Sequence, residues 1–376
     1  MYTLVLNAGS SSLRFAVFES AKTIYKGHVD AIGQFHCQFR KYLSSGAEVK
    51  KHVRIKSHEE AVDFVLKKLT EDCIVKKLSE IKKVGHRVVH GGEHFIKPLK
   101  IKFLNLKKLE KLSNLAPLHN PANITCIKAA KKVLWHADHY AVFDTAFHSS
   151  LPQKAFLYGL PYKLYKKEGI RRYGFHGISH KYVSEQIKAK KIISCHIGNG
   201  VSVAAIKNGL CLDTSMGFTP LEGPIMGTRS GSIDPAIIFH LVNKNRSLED
   251  IKNILEKESG FKGLSGIGSD IRKLWAKTGS EGSKRVFDVF SYQMAKIILS
   301  YYAAFSGDQP DALIFTAGIG ENAHYIRSKI CAYINDIDLD EKENKKNSHI
   351  ISTKKSQIKV YVIKTNEELA IARTIS

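Results

Sequence analysis

Two stretches of this chain share one grammar, and their recurrence limits the fold more than any other feature. Apolar Leu4-Val5-Leu6 gives way to Asn7-Ala8-Gly9-Ser10-Ser11-Ser12, and Leu13 to Phe18 resumes with alternating character. Mid-chain, an apolar run from Ile192 ends in Ser194-Cys195-His196-Ile197-Gly198-Asn199-Gly200, and Val201 to Ile206 then alternates apolar with small residues. Each reads as strand, small-residue loop, strand. Loop glycines let backbone N–H groups approach an anion closely, because no Cβ intervenes. Taken alone, Gly198-Asn199-Gly200 is most often a tight hairpin turn. The pair predicts a duplicated fold with two phosphate-gripping hairpins facing each other.

A length of 376 residues suits two domains. Apolar content of 43% and charged content of 25% are ordinary for a soluble enzyme. No uninterrupted apolar run approaches the roughly 18 residues of a membrane span. Met1 to Leu6 has neither a basic lead nor a small-residue cleavage site, so a strand and a cytoplasmic location are expected. The six cysteines form no C-x-x-C pair, which argues against a zinc site or a disulfide framework. The formal charge of +23 is carried by lysines spread along the chain, often in pairs such as Lys67-Lys68 and Lys107-Lys108. That distribution favours a solvated basic surface, attractive to anionic substrates, over a dedicated nucleic-acid site.

Further motifs follow in order. Ser57-His58-Glu59-Glu60 reads as a capping box opening a helix over 58–70. A strand from Ile81 runs into His86-Arg87-Val88-Val89-His90-Gly91-Gly92, where Arg87 is either a structural ion pair or an anion clamp. Ala116 to Pro121 is a rigid turn presenting His119 before a helix over 122–133. The strand from Tyr140 ends in Asp144; a carboxylate there lines a ligand crevice or caps a helix. Residues 149–170 read as a crossover between domains. His176 and His180 are spaced i, i+4, yet Gly177 and the lack of a third ligand argue against zinc, and a helix is expected from about Ser179. Asp213 to Pro235 is a long Gly/Ser/Thr/Pro loop whose Arg229 is assigned to an anion.

A second Gly/Ser loop, 259–272, enters a helix, and a long core helix is expected over 285–305. Asp311 to Phe315 is a strand leading into Gly318-Ile319-Gly320-Glu321-Asn322-Ala323, which matches the dinucleotide pattern G-x-G-x-x-A. It lies too near the chain end for a full Rossmann domain, leaving room for a nucleotide sugar or base. Val360 to Ile363 is a last strand, with Glu367 as a second strand-end carboxylate. No Gly-Lys dipeptide and no G-x-S-x-G occur, so neither a P-loop nor a nucleophile elbow is present. Phosphoryl transfer asks for positioning, Mg²⁺ and positive charge rather than covalent chemistry, and the inventory suits it. Arginines and histidines without an isolated base fit an acceptor that is already anionic, such as a carboxylate.

These motifs, in this order, closely resemble the acetokinase family of the actin/Hsp70/sugar-kinase superfamily. The resemblance rests on Asn7 to Ser12, His86 to Gly92, Pro117 to Pro121, Phe143 to His148, His196 to Gly200 with Met226 to Pro235, and Gly318 to Asn322 with Asn366 to Glu368. It implies a duplicated ribonuclease-H-like, actin-like ATPase α/β fold in two domains, with an interdomain active-site cleft. The domains would be 1–148 and 149–368, a C-terminal helix of about 369–376 packing back on the first. It further implies reversible in-line transfer of the ATP γ-phosphate to acetate, giving acetyl phosphate and ADP, in a homodimer. Propionate and butyrate remain alternatives within the family, as does a non-catalytic ATP-binding protein on the same fold.

Residue by residue, the resemblance assigns Asn7 and Glu367 to Mg²⁺, with Mn²⁺ as an alternative ion. Ser10, Ser12 and Arg14 fall at the first phosphate loop, and Arg87 at the carboxylate or acyl phosphate. Asp144 takes the catalytic acidic position, where orienting Mg²⁺ or a water is more sensible than proton removal, since acetate is already ionised. His176 and Arg229 would stabilise the equatorial oxygens, with His119 assisting. His196, Ile197, Gly198, Asn199 and Gly200 would line the ATP phosphates. Asp270, Ile271 and Arg272, with Gly318, Ile319, Gly320, Glu321 and Asn322, would cradle adenosine. Val89, Leu118, Phe175 and Pro220 match the methyl pocket. Two positions depart from the family: Arg14 stands for a usual lysine, and Ser232 for an Asp or Asn after Gly231. The chain is also somewhat short for the family, with deletions expected in surface segments.

Overall fold

The computed structural model describes residues 1–42, 47–114, 116 and 119–376. The chain divides into two compact units, Met1–Phe147 with Asn366–Ser376, and His148–Thr365. In the first unit the strands are β1 (Tyr2–Ala8), β2 (Ser12–Glu19), β3 (Lys22–Asp30), β4 (Gln38–Tyr42), β5 (Glu48–His52), β6 (Ile81–Val88), β7 (Leu99–Lys100) and β8 (Asp138–Phe143). They form one sheet in the order β5-β4-β3-β2-β1-β6-β8-β7. The run from β1 to β5 is antiparallel, whereas β6 lies parallel to β1 and β8 parallel to β6. Parallel neighbours need crossovers, supplied by the helices His58–Glu71 and Asn120–Val133.

Both faces of the central strands are covered, which is why β1 is buried almost throughout. Leu4, Leu6 and Val84 pack with Ala61, Val65 and Ala129 of the crossover helices. On the opposite face the C-terminal helix Glu367–Thr374 lies close against Gly85; a Cβ there would stand 2.6 Å from Ile371 and 3.0 Å from Ile375. Glycine therefore permits the close approach that brings the first turn of that helix over the end of β1.

In the second unit β9 (Lys191–Ile197), β10 (Val201–Lys207), β11 (Leu210–Thr214), β12 (Ala312–Thr316) and β13 (Lys359–Val362) form a sheet in the order β11-β10-β9-β12-β13. An antiparallel meander, β9-β10-β11, is flanked by parallel β12 and β13. The pattern β3-β2-β1-β6-β8 of the first unit is thus repeated, with the hairpins β1–β2 and β9–β10 in equivalent places. This is the duplicated α/β fold of the actin-like ATPases.

Local differences from the sequence reading have physical causes. Ser57 accepts from the Glu60 N–H, but the Glu60 carboxylate accepts from Lys56 N–H, so the reciprocal half of the capping box is displaced by one residue. The long core helix starts at Glu281, because Ser280 caps it by accepting from Ser283 N–H, and the chain tightens into a 3₁₀ turn at Tyr301–Phe305. The helix expected near Ser179 begins at Gly177, after His176 in a left-handed conformation with φ 57°. Among the described residues the six cysteines are free, and no helix is long and apolar enough to cross a membrane.

Candidate active site

Parallel β1, β6 and β8 end side by side, and this brings Asn7, Arg87 and Asp144 together. The Arg87 Nε donates to both carboxylate oxygens of Asp144 at 3.2 and 3.1 Å, and its Nη2 donates to Oδ2. Arg87 Nη1 donates to Asn7 Oδ1 at 3.1 Å, and Nε lies 3.8 Å from Glu367 Oε2. Asn7 Nδ2 in turn donates to Glu367 Oε2 and Glu368 Oε1, at 3.2 and 3.1 Å. Two carboxylates, Asp144 and Glu367, therefore flank one guanidinium, and Glu368 is held through Asn7. Asp144 is 1% exposed. Burial pushes its carboxyl above the usual range, Arg87 pulls it down and Glu367 pushes it up again. Burial disfavours the Arg87 cation too, but Asp144 and Glu367 more than restore it, so the pair is ionic.

The surrounding backbone is pinned by side chains the sequence reading passed over. Asn123 accepts from Val89 N–H and donates to Ala8 O, while Asn120 accepts from His90 N–H and returns a donor to His90 O. Thr145 Oγ1 accepts from Gly91 N–H. His58 donates to Gly9 O at 2.8 Å, steadying the first small-residue loop. Val89 is buried at this end of β6. His119 is half-buried at the N-cap of Asn120–Val133, and Leu118 lies outside the described residues. Ser10 is exposed and Ser12 half-buried, while Arg14 is exposed on β2 opposite Asn7.

In the second unit, His176, Arg229 and the β9–β10 turn converge. A Cβ placed on Gly200 would stand 3.3 Å from Arg229 Nη1 and 3.4 Å from His176 Nε2. His176 stacks on His196 with ring centres 4.0 Å apart. Arg229 Nη1 donates to Pro220 O at 3.1 Å, and burial lowers its pKa. Phe175 is buried, and its carbonyl accepts from His148 Nε2–H at 2.9 Å. Ser232 Oγ accepts from Gly223 N–H at 3.1 Å and Ser232 N–H donates back to Gly223 O, so serine supplies an acceptor in the loop that holds Arg229.

A cavity of about 650 Å³ opens beside the turn, lined by Gly198 and Asn199, Asp270 to Arg272, and Gly318, Ile319 and Asn322. Its remaining wall includes Trp275 and Tyr325, whose rings stack 3.8 Å apart at 6°. Neither aromatic was singled out from sequence. Ile197 is fully buried in β9, and Gly320 sits under the turn against Phe315 and Ile197. Glu321 turns inward: its Oε1 accepts from Ala317 N–H at 2.9 Å and Thr365 N–H at 3.0 Å, tying the turn after β12 to the chain after β13.

Residues 2–373 match the acetokinase family. The chain belongs to that family. It is 46% identical over 398 residues to the acetate kinase of Thermotoga maritima, covering 99% of this chain and 97% of that protein. Among solved structures it superposes on acetate kinase from Porphyromonas gingivalis with a TM-score of 0.90 at 38% identity, and on a propionate kinase from Francisella tularensis with 0.92 at 38%. Each comparison covers 99% of this chain and 98% of the other. Membership makes the chain a kinase.

Proposed function

We propose that the chain is an acetate kinase, transferring the ATP γ-phosphate reversibly to acetate by direct in-line displacement. The observation that carries the acceptor side of this reading is the Arg87 cluster, since a protein that only bound ATP would not need a half-buried guanidinium ringed by Asp144, Asn7 and Glu367. Arg87 would turn part of its donor set to the acetate carboxylate. The acceptor is already ionised at neutral pH, so no residue need remove a proton. His176 and Arg229, converging beside Gly200, would donate to the equatorial oxygens of the transferring group, and charge stabilisation of this kind is the protein's main contribution to phosphoryl transfer. The cavity walled by Trp275, Tyr325 and Gly318 would take the adenosine.

The first cluster fits Mg²⁺ by its chemistry: its ligands are oxygens, and it carries more negative than positive charge. Among the described residues no group of three or more His, Cys, Asp or Glu could hold a metal by itself. That suits an ion bound through one or two carboxylates and substrate phosphates. Asn7 and Glu367 would hold it, and Asp144 would orient its water. When bound, it would neutralise charge on the phosphate oxygens. The protein is further proposed to act in the cytoplasm as a homodimer: helix Ala236–Asn243 exposes Ile237, Phe239 and Val242, with Phe239 67% accessible.

The test is acyl hydroxamate formation from ATP, Mg²⁺ and hydroxylamine with acetate, propionate or butyrate, Arg229→Ala serving as control. Product from acetate, lost in the variant, is expected. ATP binding without product from any carboxylate would overturn the kinase reading. Equal similarity to an acetate and a propionate kinase makes the ranking of acids informative, since one methylene is worth only about 1–3 kcal/mol in such a pocket.

A further inference from the structure

Behind His176 lies a buried row of polar side chains. His176 Nδ1 is 2.9 Å from Ser202 Oγ, Ser202 Oγ is 2.7 Å from His180 Nε2, and His180 Nδ1 is 2.9 Å from Ser194 Oγ. Ser194, His180 and Ser202 are all fully buried, on β9, helix Gly177–Ser184 and β10. Burial, with His148 and His196 nearby, pushes the His180 pKa well below its ordinary value, so its ring stays neutral. A neutral imidazole has one donor and one acceptor, and a hydroxyl has one proton to give. With the Ser202 proton spent inside the row, it can run in two ways, each fixed from end to end.

In one, Ser194 donates to His180 Nδ1, His180 Nε2–H donates to Ser202 Oγ, and Ser202 donates to His176 Nδ1. The His176 proton then sits on Nε2, the atom beside Gly200 and Arg229 Nη1. In the other every bond reverses, and a neutral His176 turns its Nε2 lone pair to the same place. A lone pair would repel an anion there, whereas an N–H would bind it.

We infer that Ser194, His180 and Ser202 are positioning residues that pass a hydrogen bond to His176 Nδ1 and so keep its ring proton on Nε2, beside Gly200 and Arg229. The inference rests on the proposed role of His176 toward the transferring phosphoryl group. Nothing in the row touches substrate; it acts through the orientation of one ring. The parallel stack on His196, itself 2.8 Å from Ser179 Oγ, restrains the ring plane from the side.

The test uses the full chain labelled with ¹⁵N. Two-bond ¹H–¹⁵N spectra report which ring nitrogen carries the proton, and with 17 histidines His176 is assigned by difference from His176→Gln. The parent should show the Nε2–H pattern with Nδ1 as acceptor. Ser202→Ala should move the two His176 nitrogen shifts toward each other, and kcat should fall about tenfold to a hundredfold, as when partners orienting a functional histidine are removed. KM for ATP should stay within about threefold. His180→Gln, which retains an amide donor for Ser202, should keep more activity than His180→Ala. A parent ring protonated on Nδ1, or a Ser202→Ala enzyme with the parent pattern and kcat within about twofold, would overturn the inference. If thermal melting shows Ser202→Ala unfolded, Ser194→Ala carries the same expectations. The ring pattern needs no turnover. An active His176→Ala would therefore count against the proposed function, while the tautomer stands or falls by the spectra.

Discussion

Replacing Arg87 by leucine should destabilise the first unit in a pH-dependent way whose sign follows from the buried cluster. Leucine keeps the apolar stem on β6 and deletes the guanidinium, which is the partner in the ion pairs formed by both Asp144 and Glu367. Asp144 remains 1% exposed and loses its donors, whereas Glu367, near the start of its helix, recovers water more easily. Removing one member of a buried pair costs about 3–5 kcal/mol, because the other charge is left uncompensated. The lower half of that range is expected here, since one stranded carboxylate can rehydrate. For a unit of this size about 3–4 kcal/mol lowers the melting temperature by roughly 6–16 °C.

The pH dependence sharpens the test. Burial and Glu367 already raise the folded pKa of Asp144, and Arg87 is the opposing influence that the substitution removes. Between the unfolded value, about 3.9, and the raised folded value, the native state binds more protons than the unfolded chain. Stability therefore falls as pH rises through that window and levels off above it. The deficit of Arg87→Leu should shrink on the acid side of that window, where Asp144 takes up a proton, and be largest above it. Adding Asp144→Asn should recover much of the loss above the window and little once acid has protonated Asp144. Thermal melts by circular dichroism, with hydrogen exchange of the β6 and β8 amides to locate the effect, measure both. A deficit that does not shrink as pH is lowered, or a double variant no more stable than Arg87→Leu at pH 7.5, would refute the argument.

Two glycines separate stability from activity: Gly174 has φ 76° and a Cβ there would meet Thr214 Cγ2 at 2.4 Å and His148 at 2.7 Å, so Gly174→Ala should cost about 1–3 kcal/mol by urea titration. Gly200→Ala, with no such backbone demand, should melt within a few degrees of the parent yet lose about 10²-fold in kcat/KM, because its methyl would stand 3.3 Å from Arg229 Nη1. Trp275→Leu should raise KM for ATP about twofold to tenfold and leave KM for acetate unchanged in steady-state assays, the loss expected for an aromatic stack worth about 0.5–1.5 kcal/mol. Phe239→Glu on the exposed face of Ala236–Asn243 should convert a dimer to a monomer in sedimentation velocity.

The parts of this architecture that were legible in the sequence are those written in local periodicity. An apolar run before and alternation after each small-residue loop announced both hairpins, and apolar runs ending at Asn7, Arg87 and Asp144 announced polar strand ends; parallel pairing of β1, β6 and β8 then gathers those ends. Other features depend on partners that no residue spacing encodes. Asn120, Asn123 and Thr145 bond to backbone atoms of remote segments, and every residue type offers the same N–H and C=O. Trp275 and Tyr325 come from separate helices and meet only after both have packed. His176 and His180 illustrate the difference most clearly. Their i, i+4 spacing invites a helical pair, but the left-handed φ of His176 leaves it outside a helix that starts at Gly177; the two rings communicate through Ser202 on β10. The spacing was legible; its meaning was set by one backbone angle and by a hydroxyl on another strand.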